Sequence, residues 1–576
     1  MKDEIAGQIE EQYRAGLSYM RQMGYLIKWP ECERFKAGDQ WPKATKATAN
    51  LPRPVFNIAR YISNHKVSSV MNENVKMLYS ASESGPEDDP ASQLAEEAAD
   101  KYTKNADVTW DRVKQDELNE EALESGSTTG TGIWHYYWDV SQKGGKIRPW
   151  IGDMVGEVLD PINVFWGNPQ ERRVQRQPYV IISLRDTVAS IRKEAQQNGV
   201  SVEKRNLITP DKDVQDEGYD QAKVEVRDTD KATVLLKYWR ADDGLIHFMK
   251  VCSSVVVKPD TSTGMELYPL VVMQWERRRK SIHGVGDIEG IIPNQKAINV
   301  LIAMEILSVQ LTGWPKMLVN RNVVDPAKVN NEPGGMIVDS SPPGQGDGVK
   351  YLNPGNVSPL ANALVEQLVD YTKMLSSAQD AATGDMSKGQ LNATAIMLLQ
   401  KAAGVPIESI KKRFYRAMED VGQIWAEFWR VKFNTTRSVM FKDDDGQEIP
   451  DTFNGSAYRD AELNLKVDIG PSSQYSEELM MASLDKLFDG QHISLEDYLE
   501  FAPKNVVPFK DRLLKRIEQA KQEQAQMQAN MPPDQQQQDQ MQQQIAMKQM
   551  DHQHQLELQQ QKGQIELQKA AMSGRQ

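Results

Sequence analysis

The chain has 576 residues, 39% of them hydrophobic and 26% charged, with a formal net charge of -13 and a pI near 5.3. That length and balance call for several folded domains, and the acid excess argues against a protein that wraps nucleic acid by displacing counterions from phosphates. Two cysteines, Cys32 and Cys252, exclude a disulfide framework and read as reduced thiols.

In chain order, residues 4–25 read as a helix after an N-terminus, Met1-Lys2-Asp3-Glu4-Ile5, that does not resemble a signal peptide. Residues 35–41, Phe35-Lys36-Ala37-Gly38-Asp39-Gln40-Trp41, read as a turn with aromatic anchors. Arg53-Pro54-Val55-Phe56-Asn57-Ile58 opens the next helix, with Phe56, Ile62, Val67, Val70 and Met71 as its apolar positions. Residues 81–90 are polar and loop-like. An acidic helix is predicted over 91–125, with Leu118, Ala122 and Leu123 on one face. From Thr131 the texture changes to strand formers: strands are predicted over 133–139, 146–150, 155–159, 163–166 and 179–184. A short helix over 187–197 and a charged segment over 208–221 precede strands over 232–240, 245–251, 254–258 and 268–275. The fold class is therefore α+β.

The stretch 287–399 is the most informative. A very apolar helix, 287–311, carries Pro293, which places its straight part after that residue. Its longest apolar run, 298–311, is shorter than the roughly 20 residues that span a bilayer, so a buried helix is expected. A Pro/Gly-rich insert, 314–359, leads to an amphipathic helix, 360–378, and then to the polar loop Gly384-Asp385-Met386-Ser387-Lys388-Gly389-Gln390 and a helix starting at Leu391. Two helices bracketing a small β-like insert suit a shaft with a tip better than an active site. A long amphipathic helix follows over 407–433, with Ile407, Ile410, Phe414, Ala417, Val421, Ile424 and Phe428 at steps of three and four. A small β unit is predicted over 439–468 and helices over 476–517, with Leu484, Leu487, Phe488, Leu495, Tyr498 and Leu499 as core. More than a third of the last sixty residues are glutamine, a composition that is disordered or awaits helical partners.

Catalytic signatures are missing from the sequence. No phosphate-binding G-x-x-x-x-G-K-[ST], no G-x-S-x-G and no H-E-x-x-H is present. His552 and His554 stand in the glutamine-rich tail, and Asp443-Asp444-Asp445-Gly446 lacks calcium-loop spacing. No catalytic, cofactor or metal residue is assigned. Two basic runs stand out: Arg277-Arg278-Arg279-Lys280, a solvated strand end or a contact for an acidic neighbour or DNA, and Lys411-Lys412-Arg413, on the polar side of a long helix, where inter-subunit pairs or solvent are favoured.

Four groups of residues resemble the portal proteins of tailed bacteriophages, most closely the P22-like family. They are Phe35, Gly38, Gln40, Trp41, Arg53, Pro54 and Asn57; then Gly130, Gly132, Trp138, Asp139, Asp160, Pro161, Asn163 and Asn168-Pro169; then Gly284, Gly286, Asp287, Gln295 and Asn299; then 392–396 with Gln400. The resemblance implies a portal fold assembled as a ring, commonly of twelve subunits, at one capsid vertex. In it, 1–280 would form a wing, 281–312 a stem helix, 313–359 a small β-containing clip, 360–380 a second stem helix and 381–390 the tunnel loop. Residues 391–470 would rejoin the wing, 471–518 would form an α-helical crown, and 519–576 the tail. The implied partners are other copies of the chain, double-stranded DNA passing through the channel, the terminase large subunit, a head–tail adaptor, and the major capsid protein or scaffold, with no membrane and no cofactor. The implied location is the virion, after assembly in the host cytoplasm. Ser387, Lys388, Gln390 and Asn392 would touch DNA, and Lys316, Arg321, Pro333 and Gly334 would meet the clip's partner. The rival readings are a head–tail adaptor or minor capsid protein, and a nuclease.

Overall fold

The computed structural model describes residues 4–211, 231–313, 316–376 and 393–469, except 47, 73–74, 82–89, 146–147, 330–337, 343, 345–347, 353–359, 443–447, 460 and 462, together with scattered residues between 481 and 517. The chain divides into two compact units, one of residues 1–442 and 448–473, the other of 443–447 and 474–576.

The first unit begins with helices α1 (Glu4–Met23), α2 (Tyr25–Ala37) and α3 (Ile58–Met71), strand β1 (Val75–Ala81), and helices α4 (Pro90–Val113) and α5 (Gln115–Thr129). Strands β2 (Thr131–Gly144), β3 (Trp150–Val158), β4 (Val164–Trp166) and β5 (Tyr179–Thr187) follow. Helices α6 (Val188–Gln197) and α7 (Val202–Asn206) lead to β6 (Lys231–Arg240), β7 (Ile246–Cys252), β8 (Val255–Ser262) and β9 (Leu270–Gln274). Next come α8 (Asp287–Gly313), β10 (Lys316–Val319), β11 (Val349–Leu352), α9 (Leu360–Leu375) and α10 (Ala393–Lys432). Strands β12 (Arg437–Lys442), β13 (Glu448–Phe453) and β14 (Leu463–Ile469) complete the unit. The mixture agrees with the α+β expectation.

The layers follow from strand alternation. Strands β4 to β8 form an antiparallel meander in sequence order, and β2 is flanked by β3 and β9 in a second sheet. On the meander, Phe165, Ile181, Leu235, Met249 and Val251 pack against α1 and α2 through Ile9, Met20, Tyr25 and Trp29. Their neighbours Val164, Trp166, Val180, Ile182, Leu236 and Tyr238 point to the other face, onto Ile133 of β2 and Leu270 of β9. Successive side chains on a strand face opposite ways, so one short apolar run serves two cores.

The largest core lies where α10 crosses the β2 sheet. All seven of its predicted apolar positions, from Ile407 to Phe428, are buried, and Met418, Trp425 and Trp429 widen the stripe. Trp429, Tyr102, Phe433 and Phe453 make edge-on ring contacts. Beside them Arg437, only 4% exposed, pairs with Asp153 at 3.2 Å. Its guanidinium lies 3.7 Å from the centre of the Phe433 ring and 4.3 Å from that of Trp150. Arg112 meets the other oxygen of Asp153 at 3.3 Å.

Several boundaries differ from the sequence expectation. The turn expected over 35–41 begins as helix: α2 runs to Ala37 and stops at Gly38, whose φ of 97° lets the Gly38 and Asp39 amides close back on the Phe35 and Arg34 carbonyls. The single helix expected over 91–125 is two, divided at Lys114, where φ is 55°. Among the described residues of the region expected over 146–150, the strand starts only at Trp150: Arg148 and Pro149 are not in a strand, and proline cannot donate to a ladder. Helix α8 runs unbroken across Pro293, and α10 across Pro406. The β unit expected over 439–468 is divided, because β12 pairs with β13 while β14 pairs with β1. Phe56 precedes α3 and is 55% exposed; Asn57 caps that helix by accepting from the Arg60 amide at 3.0 Å.

In the second unit Leu484 and Leu499 are buried, whereas Leu487, Phe488 and Leu495 are exposed. Phe488 meets the Tyr498 ring at 4.9 Å, and the Tyr498 hydroxyl donates to Asp485 at 2.7 Å. The loop expected over 81–90, most of the charged segment over 208–221 and the glutamine-rich tail lie outside the described residues, apart from Ala81, Pro90 and 208–211.

A buried ion pair joins the start of α8 to this framework. Lys66 of α3 reaches Asp287 at 2.6 Å, their side chains 6% and 5% exposed, and Trp275 donates its indole N–H to the second oxygen at 2.7 Å. Removing one partner strands a buried charge. Lys66→Met is expected to cost about 3–5 kcal/mol, read as a fall in the urea unfolding midpoint. Lys66→Met with Asp287→Asn should recover part of that loss.

Candidate functional site

The residues that carried the resemblance come together around the first half of α8. The Gln295 side-chain oxygen accepts from the backbone N–H groups of Ile58 at 2.9 Å and Ala59 at 3.2 Å. These are amides at the start of α3 that have no partner within the helix. The Gln295 amide nitrogen donates to the Phe56 carbonyl at 2.6 Å and to Asn299 at 3.0 Å. Asn299 in turn donates to the Gln40 side chain at 2.6 Å, and Gln40 donates to Asn57 at 3.1 Å and to the Phe35 carbonyl at 2.9 Å. Asn57 closes the circuit on the Lys36 carbonyl at 2.9 Å. Gln295, Asn299 and Gln40 are all at most 5% exposed, so the network binds the end of α2 and the start of α3 to α8 without help from solvent. Around it pack Phe35, Ile58, Ile62, Ile288, Ile291, Ile292 and Ile298.

The motif glycines serve the same joint. A side chain on Gly130, whose φ is 97°, would lie 2.6 Å from the backbone of Gly284, and one on Gly286 would lie 2.6 Å from the Thr128 carbonyl. The loop that leads into α8 therefore lies directly against the α5–β2 turn, closer than any residue with a Cβ allows.

Beyond this joint α8 changes character. Its first half buries Ile288, Ile291, Ile292, Gln295, Ile298 and Asn299. From Val300 to Val309 no residue is fully buried, although most are apolar. Val300 is 45%, Met304 62% and Val309 66% exposed. Helix α9 covers one side of α8 with Val365, Leu368 and Val369 and bonds to it through Asn294 and Thr372 at 3.1 Å. It adds its own exposed apolar residues: Leu364, Tyr371, Met374 and Leu375. Scattered apolar residues on a surface are ordinary, but this many on two paired helices make the pair a candidate contact site.

Strands β10 and β11 pair antiparallel from Lys316 opposite Leu352 to Val319 opposite Val349. Asp339 accepts from the Ser341 hydroxyl, from the Gly348 amide at 2.7 Å and from the Ser341 amide at 2.9 Å, and these bonds, the hydroxyl's first, hold its pKa below the usual carboxylate range. Of the expected partner contacts, Lys316 opens β10 and Arg321 is exposed on the turn after it. Pro333 and Gly334 lie outside the described residues, as do all four expected DNA-contacting residues, Ser387, Lys388, Gln390 and Asn392.

The basic run 277–280 is not a uniform patch. Arg278 donates to the Tyr25 hydroxyl at 3.1 Å, while Arg277, Arg279 and Lys280 are exposed. His283 lies under the same loop, its ring centre 5.2 Å from those of both Tyr25 and Trp29. Burial, with the nearby Arg278 charge adding to it, pushes the His283 pKa down to about 3. In the second run Arg413 donates to Ser409 at 3.3 Å. Its pKa is lowered by burial first and by Arg277 next, which places the two runs beside each other.

Among the described residues no three His, Cys, Asp or Glu side chains are grouped to hold a metal ion, and no helix is long and apolar enough to cross a membrane. Compared with known protein families, residues 185–570 match the model of the phage P22-like portal proteins, well over half of the chain. No curated protein matches the chain significantly.

Sequence patterns alone gave no reason for the buried amides around α8, yet their energetic weight is testable. Gln295→Ala removes the acceptor of two α3 amides and the donor to Phe56. A buried group left unpaired costs about 1–3 kcal/mol, so a clear drop in the thermal midpoint is expected, together with faster proteolysis within 41–57. An unchanged midpoint would mean that α3 is held without this network.

Proposed function

The chain belongs to the phage P22-like portal protein family, a structural family of virion components, and from that premise we propose that it forms a closed ring around a DNA channel at one capsid vertex. On this reading α8 and α9 are the stem, the β10–β11 pair with its connecting chain is the clip, and the helices and sheets before α8, rejoined by 391–470, form the wing. Residues 471–518 are the crown. Twelve copies are the expected ring, and double-stranded DNA passes through it during packaging and ejection. The clip side offers the docking platform for the terminase large subunit and then for a head–tail adaptor; the wing faces the capsid or scaffold. ATP hydrolysis belongs to the terminase.

One observation carries the reading: the second half of α8 is largely apolar, and among the described residues none from Val300 to Val309 is fully buried. Burial of apolar area contributes about 25 cal/mol per Å², so copies of this surface set side by side have a strong reason to associate. The polar residues of 384–390 suit a loop at the narrowest part of such a channel. Lys388 supplies a weak phosphate contact that positions without reading bases, in an acidic chain that keeps DNA from sticking. The tail, 531–576, is dispensable for ring closure because it has little apolar area to bury.

Native mass spectrometry of the purified chain is expected to show one closed oligomer, near twelve copies. Met304→Asp with Val309→Asp, both exposed in the single chain, should abolish that oligomer while leaving the circular dichroism spectrum unchanged. A monodisperse monomer from the unmodified chain at micromolar concentration would refute the ring.

The loop has a separate test. Lys388→Glu should leave rings intact and lower the DNA packaged or retained per head. Normal full-length packaging by intact variant rings would remove Lys388 from the channel contact, and failure of the rings to form would make 384–390 a structural segment.

A further inference from the structure

A cavity of about 460 Å³ lies between the β2–β3 edge, the β6–β8 face and the C-terminal end of α10. It is lined by the aromatic residues Tyr137, Trp138 and Phe248 and by three lysines, Lys250, Lys258 and Lys432. Lys250 is neutralised by Glu194 at 2.9 Å. Glu194 also acts on Lys258, more weakly than burial and Lys250 do, and no ion pair within 4 Å joins Lys258 or Lys432 to a carboxylate among the described residues. Lys258 instead sits over the Phe248 ring, 4.6 Å from its centre.

Two half-buried ammonium groups side by side are costly, because burial withdraws water from each and each repels the other. Both costs are visible here. The Lys258 pKa is lowered by burial first and then by Lys250, with Glu194 acting against both, and that of Lys432 by burial first and then by Lys258. Lys432 gains partial relief as the last residue of α10, where the helix end is negative. Lys258, on a strand, gains none of that kind. His135, which also lines the cavity, bridges Glu157 at 2.8 Å and the Tyr238 hydroxyl at 3.1 Å.

We propose that this cavity is a binding site for an aromatic oxyanion: a flat apolar body against Trp138 and Phe248, with a phosphate or carboxylate seated between Lys258 and Lys432. The anion adds negative charge between two ammonium groups that repel each other, and the ring fills an aromatic-lined slot. The same chemistry is presented by a phosphorylated aromatic metabolite and by an aromatic residue next to an acidic one or a chain carboxylate. The site lies within one chain and does not depend on ring assembly.

Titration calorimetry of the full-length protein at low ionic strength, with phenyl phosphate in one arm and phenylacetate in the other, tests the site. Saturable binding at one site per chain is expected, with the tighter arm identifying the phosphate or the carboxylate source. Lys258→Gln and Lys432→Gln, tested singly so that each keeps one ammonium, should each weaken binding at least tenfold and leave the thermal midpoint unchanged or raised, since a repulsion is removed. Trp138→Leu should weaken both ligands and benzyl alcohol alike, whereas the lysine variants should spare benzyl alcohol. No saturable binding in either arm, or binding unaltered in both lysine variants, overturns the proposal.

Discussion

Asp287 is the residue on which the arrangement of the chain turns. It stands in the first turn of α8 and accepts from Lys66 of α3 and from Trp275, just past β9. A carboxylate there is favoured twice, by the helix N-terminus and by a buried ammonium. Two elements distant in sequence thereby fix the point from which α8 departs. Gln295 and Asn299, two and three turns further along, repeat the connection with neutral groups. From Val300 to Val309 the helix has no fully buried residue.

This explains what the sequence resemblance was detecting. Gln40, Asn57, Gly130, Gly284, Asp287, Gln295 and Asn299 looked like separate signatures scattered over 260 positions. In space they form one joint, in which each polar group satisfies another and each glycine admits a neighbouring backbone. The polar loop over 384–390, for which function is proposed, carries no comparable signature. A surface that slides past a polymer needs little geometric precision, whereas a buried hydrogen-bond circuit tolerates almost no change.

The legibility of the chain follows the range of the forces involved. Period-two strands from Thr131 to Gln274 and the stripe of α10 could be read because each residue's neighbours in sequence determine its face. The breaks at Lys114 and Gly38 were missed or misplaced, since a single left-handed residue interrupts a helix without altering its periodicity. The cavity at Lys258 and Lys432 could not be read at all: nothing local relates a lysine on β8 to the end of a helix 170 positions later. Strand β1 was missed for the same reason, as its ladder partner is β14.

That β1–β14 ladder has a consequence for synthesis. The two strands are separated by about 380 residues, and Tyr79 of β1 also donates to the Gly422 carbonyl in α10. At ribosomal rates of about 5–20 residues per second, β1 waits roughly 20–80 s for its partner. Throughout that time its edge and the Tyr79–Tyr102 face are uncovered, a state prone to pairing with the wrong strand. The nascent chain cannot finish its first domain until almost the last folded strand has left the ribosome. Premature termination anywhere between them leaves β1 without its ladder partner, and only a chain translated through residue 469 can form the complete ladder.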